Sequence, residues 1–200
     1  MSIRSDSEVF LILHGTGGNT PGHWQDHLAD ALRAEGKDVR YPRLPDASTP
    51  TLAKWMPALV KAMAGIEVDA RLTVVCHSRA CILWMHYAEM GARRLRAERV
   101  LLVAPPYVAS EPVSDWMFFP PPLSADGIAS AAVSTSIIAS DDDEFATVEE
   151  ASTYAEALSI PIYLLPNSGH ISPFYGYGEW PWVVDWCLRL ADFPPVSLFP

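Results

Sequence analysis

From Leu72 to Leu83 the chain reads Leu-Thr-Val-Val-Cys-His-Ser-Arg-Ala-Cys-Ile-Leu, and this stretch narrows the choice of fold more than any other. Thr73 to Cys76 is a β-branched apolar run of the kind found in parallel strands covered on both faces, and Ala80 to Met90 reads as a helix. Ser78 falls on the turn between them. A serine lifted out of a sheet on such a sharp turn needs small residues two positions to either side, because strand and helix approach closely there; Gly-x-Ser-x-Gly is the usual solution, the nucleophile elbow. Here the flanks are Cys76 and Ala80, the next smallest choices. An ordinary strand-to-helix turn with a polar serine fits this segment equally well, so the remainder of the chain has to decide.

The rest alternates strand and helix. Val9 to Leu13 is a continuous apolar run that predicts a buried strand, followed by the glycine-rich His14-Gly15-Thr16-Gly17-Gly18-Asn19. Thr20-Pro21 has the form of a helix N-cap with proline at the first helical position, and Trp24, Leu28, Ala31 and Leu32 recur at helical spacing up to Gly36. Val39 to Tyr41 is a short strand. Leu52, Met56, Leu59, Val60 and Met63 mark a helix that Pro57 should kink or delay. After the Ser78 turn come the helix with His86 beside the core and a strand from Arg99 to Ala104. Val133 to Ala139 is a further strand, Thr147-x-x-Glu150 a capping box opening a helix through Leu158, and Ile160 to Leu165 the last strand. Trp182 to Leu190 closes the pattern as a helix that sets Val183, Trp186, Cys187 and Leu190 against the sheet. This predicts an α/β fold with a parallel sheet, right-handed crossovers and helices on both faces.

Two stretches break the alternation. Residues 105–131 begin with a proline-rich run carrying Trp116, Met117, Phe118 and Phe119, which reads either as a partial cap over a site or as aromatics plugging into the core. Residues 192–200 form a proline-rich tail. With 200 residues, half of them hydrophobic and 19% charged, one domain spanning 1–200 is expected.

A formal charge of −10 argues against nucleic acid or an anionic membrane surface, which basic patches recognise, and leaves small molecules as the expected partners. No protein partner is indicated. The N-terminus has no apolar core of signal-peptide length and no run of about 18 apolar residues suggests a membrane span, so cytoplasmic residence is the expectation. Cys76, Cys81 and Cys187 make neither an even disulfide set nor a Cys-x-x-Cys pair and read as packing residues. His23 and His27 lie four apart near Asp26 and Asp30, but a zinc-protease helix would read His-Glu-x-x-His, so ordinary structural roles are preferred. No metal and no cofactor is expected.

Chain order supplies the chemistry. Ser78 follows a middle strand, the acidic run Asp141-Asp142-Asp143-Glu144 follows a later one, and His170 follows the last: the order Ser, Asp, His of the α/β-hydrolase triad. The glycine loop after the first strand is placed to point amides at a developing negative charge. It lacks a Walker lysine and the dinucleotide-binding glycine pattern, which disfavours nucleotides. All these segments leave the carboxyl ends of strands, where such sheets build their sites. A fold retained only as a binding module is the competing reading.

The chain also resembles the small YdeN-like serine hydrolases, the group that includes retinoblastoma-binding protein 9. The likeness rests on His14-Gly15 and its loop, His23-Trp24, Cys76-His77-Ser78, the Ser140-to-Asp143 run, Gly169-His170-Ile171, and Gly176-Tyr177-Gly178-Glu179-Trp180-Pro181. It implies a compact, cofactor-free α/β-hydrolase of about six parallel strands in the order 2-1-3-4-5-6. It also implies catalytic Ser78, Asp143 and His170, with Asp142 the fallback acid, and backbone amides of Thr16 and Arg79 as an oxyanion hole. The group's elbow usually carries glycines where this chain has Cys76 and Ala80, and an arginine after the serine is unusual for it. The substrate would be a small ester, thioester or amide. Trp116, Phe118, Phe119, Phe174 and Tyr175 are the candidate pocket residues, and Phe174 is expected to narrow the acyl side so that short acyl chains are preferred.

Overall fold

The computed structural model describes residues 7–91, 95–107 and 118–192. Six strands, β1 (Glu8–Leu13), β2 (Asp38–Arg40), β3 (Arg71–His77), β4 (Ala97–Val103), β5 (Ala132–Ser140) and β6 (Ile162–Leu165), run parallel in the order β2-β1-β3-β4-β5-β6. The order is the expected one. Leu13 lies opposite Cys76, His77 opposite Val103, and Ser140 opposite Leu165, so the carboxyl ends stay level across the sheet. Loops leaving those ends meet on one edge.

Side chains of β1 alternate between two apolar layers: Val9, Leu11 and Leu13 face one, Phe10 and Ile12 the other. The first layer is closed by α2 (Leu52–Met63), α3 (Arg79–Glu89), α4 (Ala125–Ala131) and α5 (Val148–Leu158), the second by α1 (Trp24–Ala34) and α6 (Pro181–Cys187). Each fully buried leucine or valine contributes about 1.5–3 kcal/mol, and β1 and β3 supply such residues to both layers. The middle of the sheet is therefore its rigid part, and Ser78 sits at its end.

Several boundaries differ from the sequence reading for local reasons. The chain makes a turn in which the His23 N–H donates to the Thr20 carbonyl, so α1 starts at Trp24 with His23 as its N-cap instead of at Pro21. Helix α2 passes through Pro57 without a delayed start. Thr51 caps it by accepting from the Lys54 N–H, and Pro57 and Ala53 are both exposed, so the carbonyl that proline leaves without a donor faces water. At the other end of the chain α6 stops at Cys187, where the Arg99 guanidinium donates to the Trp186 carbonyl at 2.8 Å.

The largest difference lies in residues 105–131. The stretch contains α4, a helix the sequence reading lacked, capped by Ser124, whose hydroxyl accepts from the Gly127 N–H. Gly127 lets it lie against α3, since a Cβ there would come within 3.0 Å of the Ala88 carbonyl. Phe118 and Phe119 belong to the core, the first with 0% exposure and its ring edge-on to Trp55. Of the two readings of this loop, these two side chains follow the one in which aromatics plug the interior. Trp116 and Met117, and the tail beyond Asp192, lie outside the described residues.

The capping box of α5 is present in full: Thr147 Oγ accepts from the Glu150 N–H at 3.3 Å, and Glu150 accepts from the Thr147 N–H at 2.8 Å. Thr147→Ala is expected to cost about 1 kcal/mol, seen as a Tm about 2–4 °C lower. An unchanged Tm would mean that packing of Tyr154 and Leu158 alone fixes this helix.

Candidate active site

Ser78 is the residue between β3 and α3, with φ 55° and ψ −127°. Such a backbone is unusual for any residue but glycine and is held only when its surroundings fix it. They do so here. The Ser78 N–H donates to the Val103 carbonyl, the Cys81 N–H donates to the Ser78 carbonyl, and Cys76 and Ala80 on either side are completely buried. The first loop passes just above. A Cβ on Gly15 would fall 2.7 Å from Ser78 Cβ and 3.2 Å from its Oγ, so only glycine lets the two segments approach this closely.

Ser78 Oγ lies 2.8 Å from His170 Nε2, and His170 Nδ1 lies 2.9 and 3.1 Å from the two carboxylate oxygens of Asp143. Asp143 is almost sealed from water, its side chain 2% exposed, and His170 is 12% exposed. Because a carboxylate only accepts, the Nδ1 hydrogen points to Asp143 and Nε2 is left to accept from the serine hydroxyl. Asp142 is turned elsewhere. Its Oδ1 accepts from Ser140 Oγ at 2.6 Å and from the Gly169 N–H at 2.7 Å, which together hold its carboxyl below the usual range, the serine bond first. Asp141 accepts from the Asn167 N–H at 2.7 Å, and Ser140 Oγ accepts from the Ser168 N–H at 3.0 Å. Ser140, Asp141 and Asp142 thus grip the turn before His170 at three successive amides, and Asp143 after them reaches the imidazole.

The opposite side of His170 is held by histidine and tryptophan. His77 Nε2 lies 3.0 Å from the His170 carbonyl, to which it must donate, and Trp24 Nε1 donates to the Ile171 carbonyl at 2.8 Å. His23 packs at a tilt against His77 with ring centroids 4.9 Å apart, while its Nδ1 caps α1 by accepting from the Gln25 N–H. His27 is exposed, and no group of three metal-ligating side chains exists among the described residues. His14 serves the first loop: its Nε2 accepts from the Leu44 N–H at 2.9 Å, so the ring hydrogen is on Nδ1 and donates to the Gly15 carbonyl at 2.8 Å. In a trans peptide the N–H lies opposite the C=O, so this bond turns the Thr16 N–H away from His14. The sequence reading quoted His14, His23 and His77 as parts of motifs without giving them these tasks. The signal it lacked was that all three are buried.

The aromatic candidates distribute differently from the expectation. Phe118 and Phe119 lie under the Arg79 guanidinium, whose carbon is 5.4 and 5.9 Å from their ring centroids, and present almost no surface. Phe174 is 88% exposed and meets the ring of Tyr175 edge-on. Tyr175 donates its hydroxyl to Glu144 at 2.6 Å, tying the loop after His170 to the loop after β5. Phe145 is an aromatic the sequence reading did not select. Its ring lies 4.5 Å from that of His170, half exposed, and its N–H donates to Asp143 Oδ1 at 2.9 Å.

A parallel sheet of this order, with a serine on the strained turn after β3 and a hydrogen-bonded histidine after β6, defines an α/β-hydrolase. Within that class, residues 10–188 match the family model for serine hydrolases, and the chain belongs to that family. It is 23% identical over 176 residues to the Bacillus subtilis (strain 168) protein described as the hydrolase YdeN, across 87% of this chain and 91% of that protein. The crystal structure of the Bacillus subtilis ydeN product matches with a TM-score of 0.78 at 21% identity, over 92% of this chain and 98% of that one. A YdeN-like hydrolase from Pectobacterium atrosepticum matches with a TM-score of 0.72 at 17% identity, over 92% and 90% of the two chains.

Two tests follow from the packing around His170 and Ser78. Burial holds the His23 imidazole down at about 4, with His170 and His14 acting in the same direction, and burial likewise holds His77 well below its ordinary value. In the unfolded chain both titrate near 6.5, so below that pH the unfolded state takes up protons that the folded state refuses. Stability is therefore complete above about pH 6.5 and falls as the pH drops toward 4, by roughly 3 kcal/mol for His23 alone. His23→Asn, which keeps an acceptor for the helix cap, should flatten urea unfolding free energies measured between pH 6.5 and 4.5; an unaltered slope would show that His23 takes up its proton while folded. Gly15→Ala should slow the reaction of Ser78 with a fluorophosphonate by about 100-fold, since displacements near 1 Å cost that much. Labelling at the wild-type rate would mean that the first loop yields freely.

Proposed function

We propose that the protein hydrolyses small carboxylic esters, with thioesters and amides as related acyl substrates, through an acyl-enzyme on Ser78. The observation that carries this reading is the chain of hydrogen bonds Ser78–His170–Asp143 on an elbow backbone. Ser78 Oγ attacks the acyl carbon as its proton passes to His170 Nε2, and the carbonyl π electrons move onto oxygen. Asp143 stabilises the imidazolium so formed and fixes its orientation. Collapse of the tetrahedral species expels the leaving group, which takes the proton from Nε2. Water then repeats the sequence on the acyl-enzyme, releasing the carboxylic acid and restoring the serine hydroxyl.

The oxyanion falls to the backbone amides of Thr16 and Arg79. Support for Arg79 is its place as the first residue of α3, where an amide has no partner within the helix. For Thr16 the support is the His14 bond to the Gly15 carbonyl, which aims the next N–H away from the protein interior. One such donor is worth about 3 kcal/mol of transition-state stabilisation. The half-exposed Phe145 ring stands beside the imidazole that protonates the leaving group, so an apolar leaving group has a surface to rest on.

A fluorophosphonate probe tests the reading directly. Wild-type protein should be labelled and Ser78→Ala should not, while Asp143→Asn should lower turnover of 4-nitrophenyl acetate by about three to four orders of magnitude. Asp141→Asn, which retains an oxygen for the Asn167 amide, should change turnover little. No labelling of the wild type under conditions that label another serine hydrolase would leave the fold as a binding module.

A further inference from the structure

The residue after Ser78 is an arginine, and its side chain reaches the loop that carries Thr16. Arg79 Nε donates to Thr16 Oγ at 3.0 Å. Each of these two residues supplies one of the amides assigned above to the oxyanion, so the two donor-bearing residues are joined by a side-chain bond. We propose that Arg79 is a positioning residue whose bond to the Thr16 hydroxyl sets the Thr16 N–H for transition-state stabilisation. This rests on the reaction proposed above.

Thr16 needs such a fastening. It is exposed, and Gly17 and Gly18 after it have φ of 95° and 86°, so the segment has wide backbone freedom. Two of its peptide groups are tied: the Gly15 carbonyl to His14, and the Gly17 N–H to the Ala47 carbonyl at 2.8 Å. These bonds flank Thr16 without gripping its side chain. The Arg79 bond does that, and it comes from an immobile source. The guanidinium rests over Phe118, Phe118 meets Trp55 edge-on at 5.5 Å, and Trp55 meets His14 edge-on at 5.5 Å. Thr16 is therefore held through its hydroxyl and through the preceding carbonyl by two branches of one buried aromatic stack. Since the Arg79 N–H is fixed by the start of α3, a bond from the same residue to Thr16 sets the separation of the two donors. Preorganised donors of this kind act on the transition state more than on the bound ester, so loss of the bond should appear in kcat.

The test uses 4-nitrophenyl acetate and an alkyl boronic acid, which forms a tetrahedral adduct on serine. Thr16→Val and Arg79→Met should each lower kcat about tenfold, a fraction of the loss expected from deleting a donor, with KM within about twofold. Boronic acid affinity should fall in step with kcat, a readout that a purely structural role would leave in place. Thr16→Ser keeps the hydroxyl and should recover what Thr16→Val loses. The double variant Thr16→Val/Arg79→Met should be about as slow as the worse single, because both remove the bond between Arg79 and Thr16. Thr16→Val lies on an exposed loop, so its Tm should match that of the wild type and the result stands even if Arg79→Met folds poorly. If the wild type is labelled by fluorophosphonate but Thr16→Val keeps full kcat and boronic acid affinity, or if the two single losses multiply, the positioning role is overturned and the hydrolase reading survives. If the wild type is neither labelled nor active, both fall together.

Discussion

Bringing His170 to Ser78 requires a turn that starts at the sheet edge strand β6 and reaches back over β5 toward β3, and hydrogen bonds from an acidic run hold that turn. Asp141, Ser140 and Asp142 accept from the amides of Asn167, Ser168 and Gly169 in succession. Bonds between carboxylates and backbone amides are stronger than neutral ones, and the Ser140 and Gly169 bonds hold the Asp142 carboxyl below its ordinary value. Consecutive acids would repel one another if all faced water. Spent on separate partners, they act as a clamp in which the first two fix the backbone and Asp143 fixes the ring.

The other half of the mount is apolar and neutral. Trp24 and His77 donate to the carbonyls of Ile171 and His170, and the aromatic surface around them excludes water. In that surrounding an imidazole is uncharged, which suits His77, since it need only donate one N–H. The arrangement places a charged clamp on one side of the His170 backbone and an uncharged one on the other. The His170 imidazole lies between them, bonded to the Asp143 carboxylate. Around it, burial disfavours the charged forms of His14, His23 and His77.

Much of this was legible in the sequence. The parallel sheet follows from apolar runs alternating with helical periods, because those patterns report burial on two faces and on one, whereas its strand order came with the resemblance to YdeN-like hydrolases. Ser78, the acidic run and His170 were legible for the same reason: each follows a strand, and strand ends converge. What was illegible depends on where loops turn. Thr20-Pro21 has good capping chemistry, yet His23 caps α1, because the turn between them is set by how the loop packs over Gly15 and Ala47. Phe118 and Phe174 have the same side chain; one is sealed beneath Arg79 and the other stands in solvent, and no local property separates them. The choice among Asp141, Asp142 and Asp143 is of this kind also, since it is decided by which oxygen meets which amide.

The elbow departs from the glycine pattern, and the neighbouring contacts account for how it is accommodated. Cys76 and Ala80 both fit without exposure, and the room that matters most is at Gly15, where the opposing loop presses on Ser78. A cysteine two residues before the proposed nucleophile Ser78 raises the question of a competing thiolate. Burial pushes the Cys76 thiol far up and does the same for Cys81, whose Sγ donates to the Val103 carbonyl. Protonated thiols facing the core are inert toward an acyl carbon. The same close packing that forces Ser78 into its strained turn thus keeps the nearby sulfur atoms out of the chemistry, and leaves the serine hydroxyl as the group presented to His170.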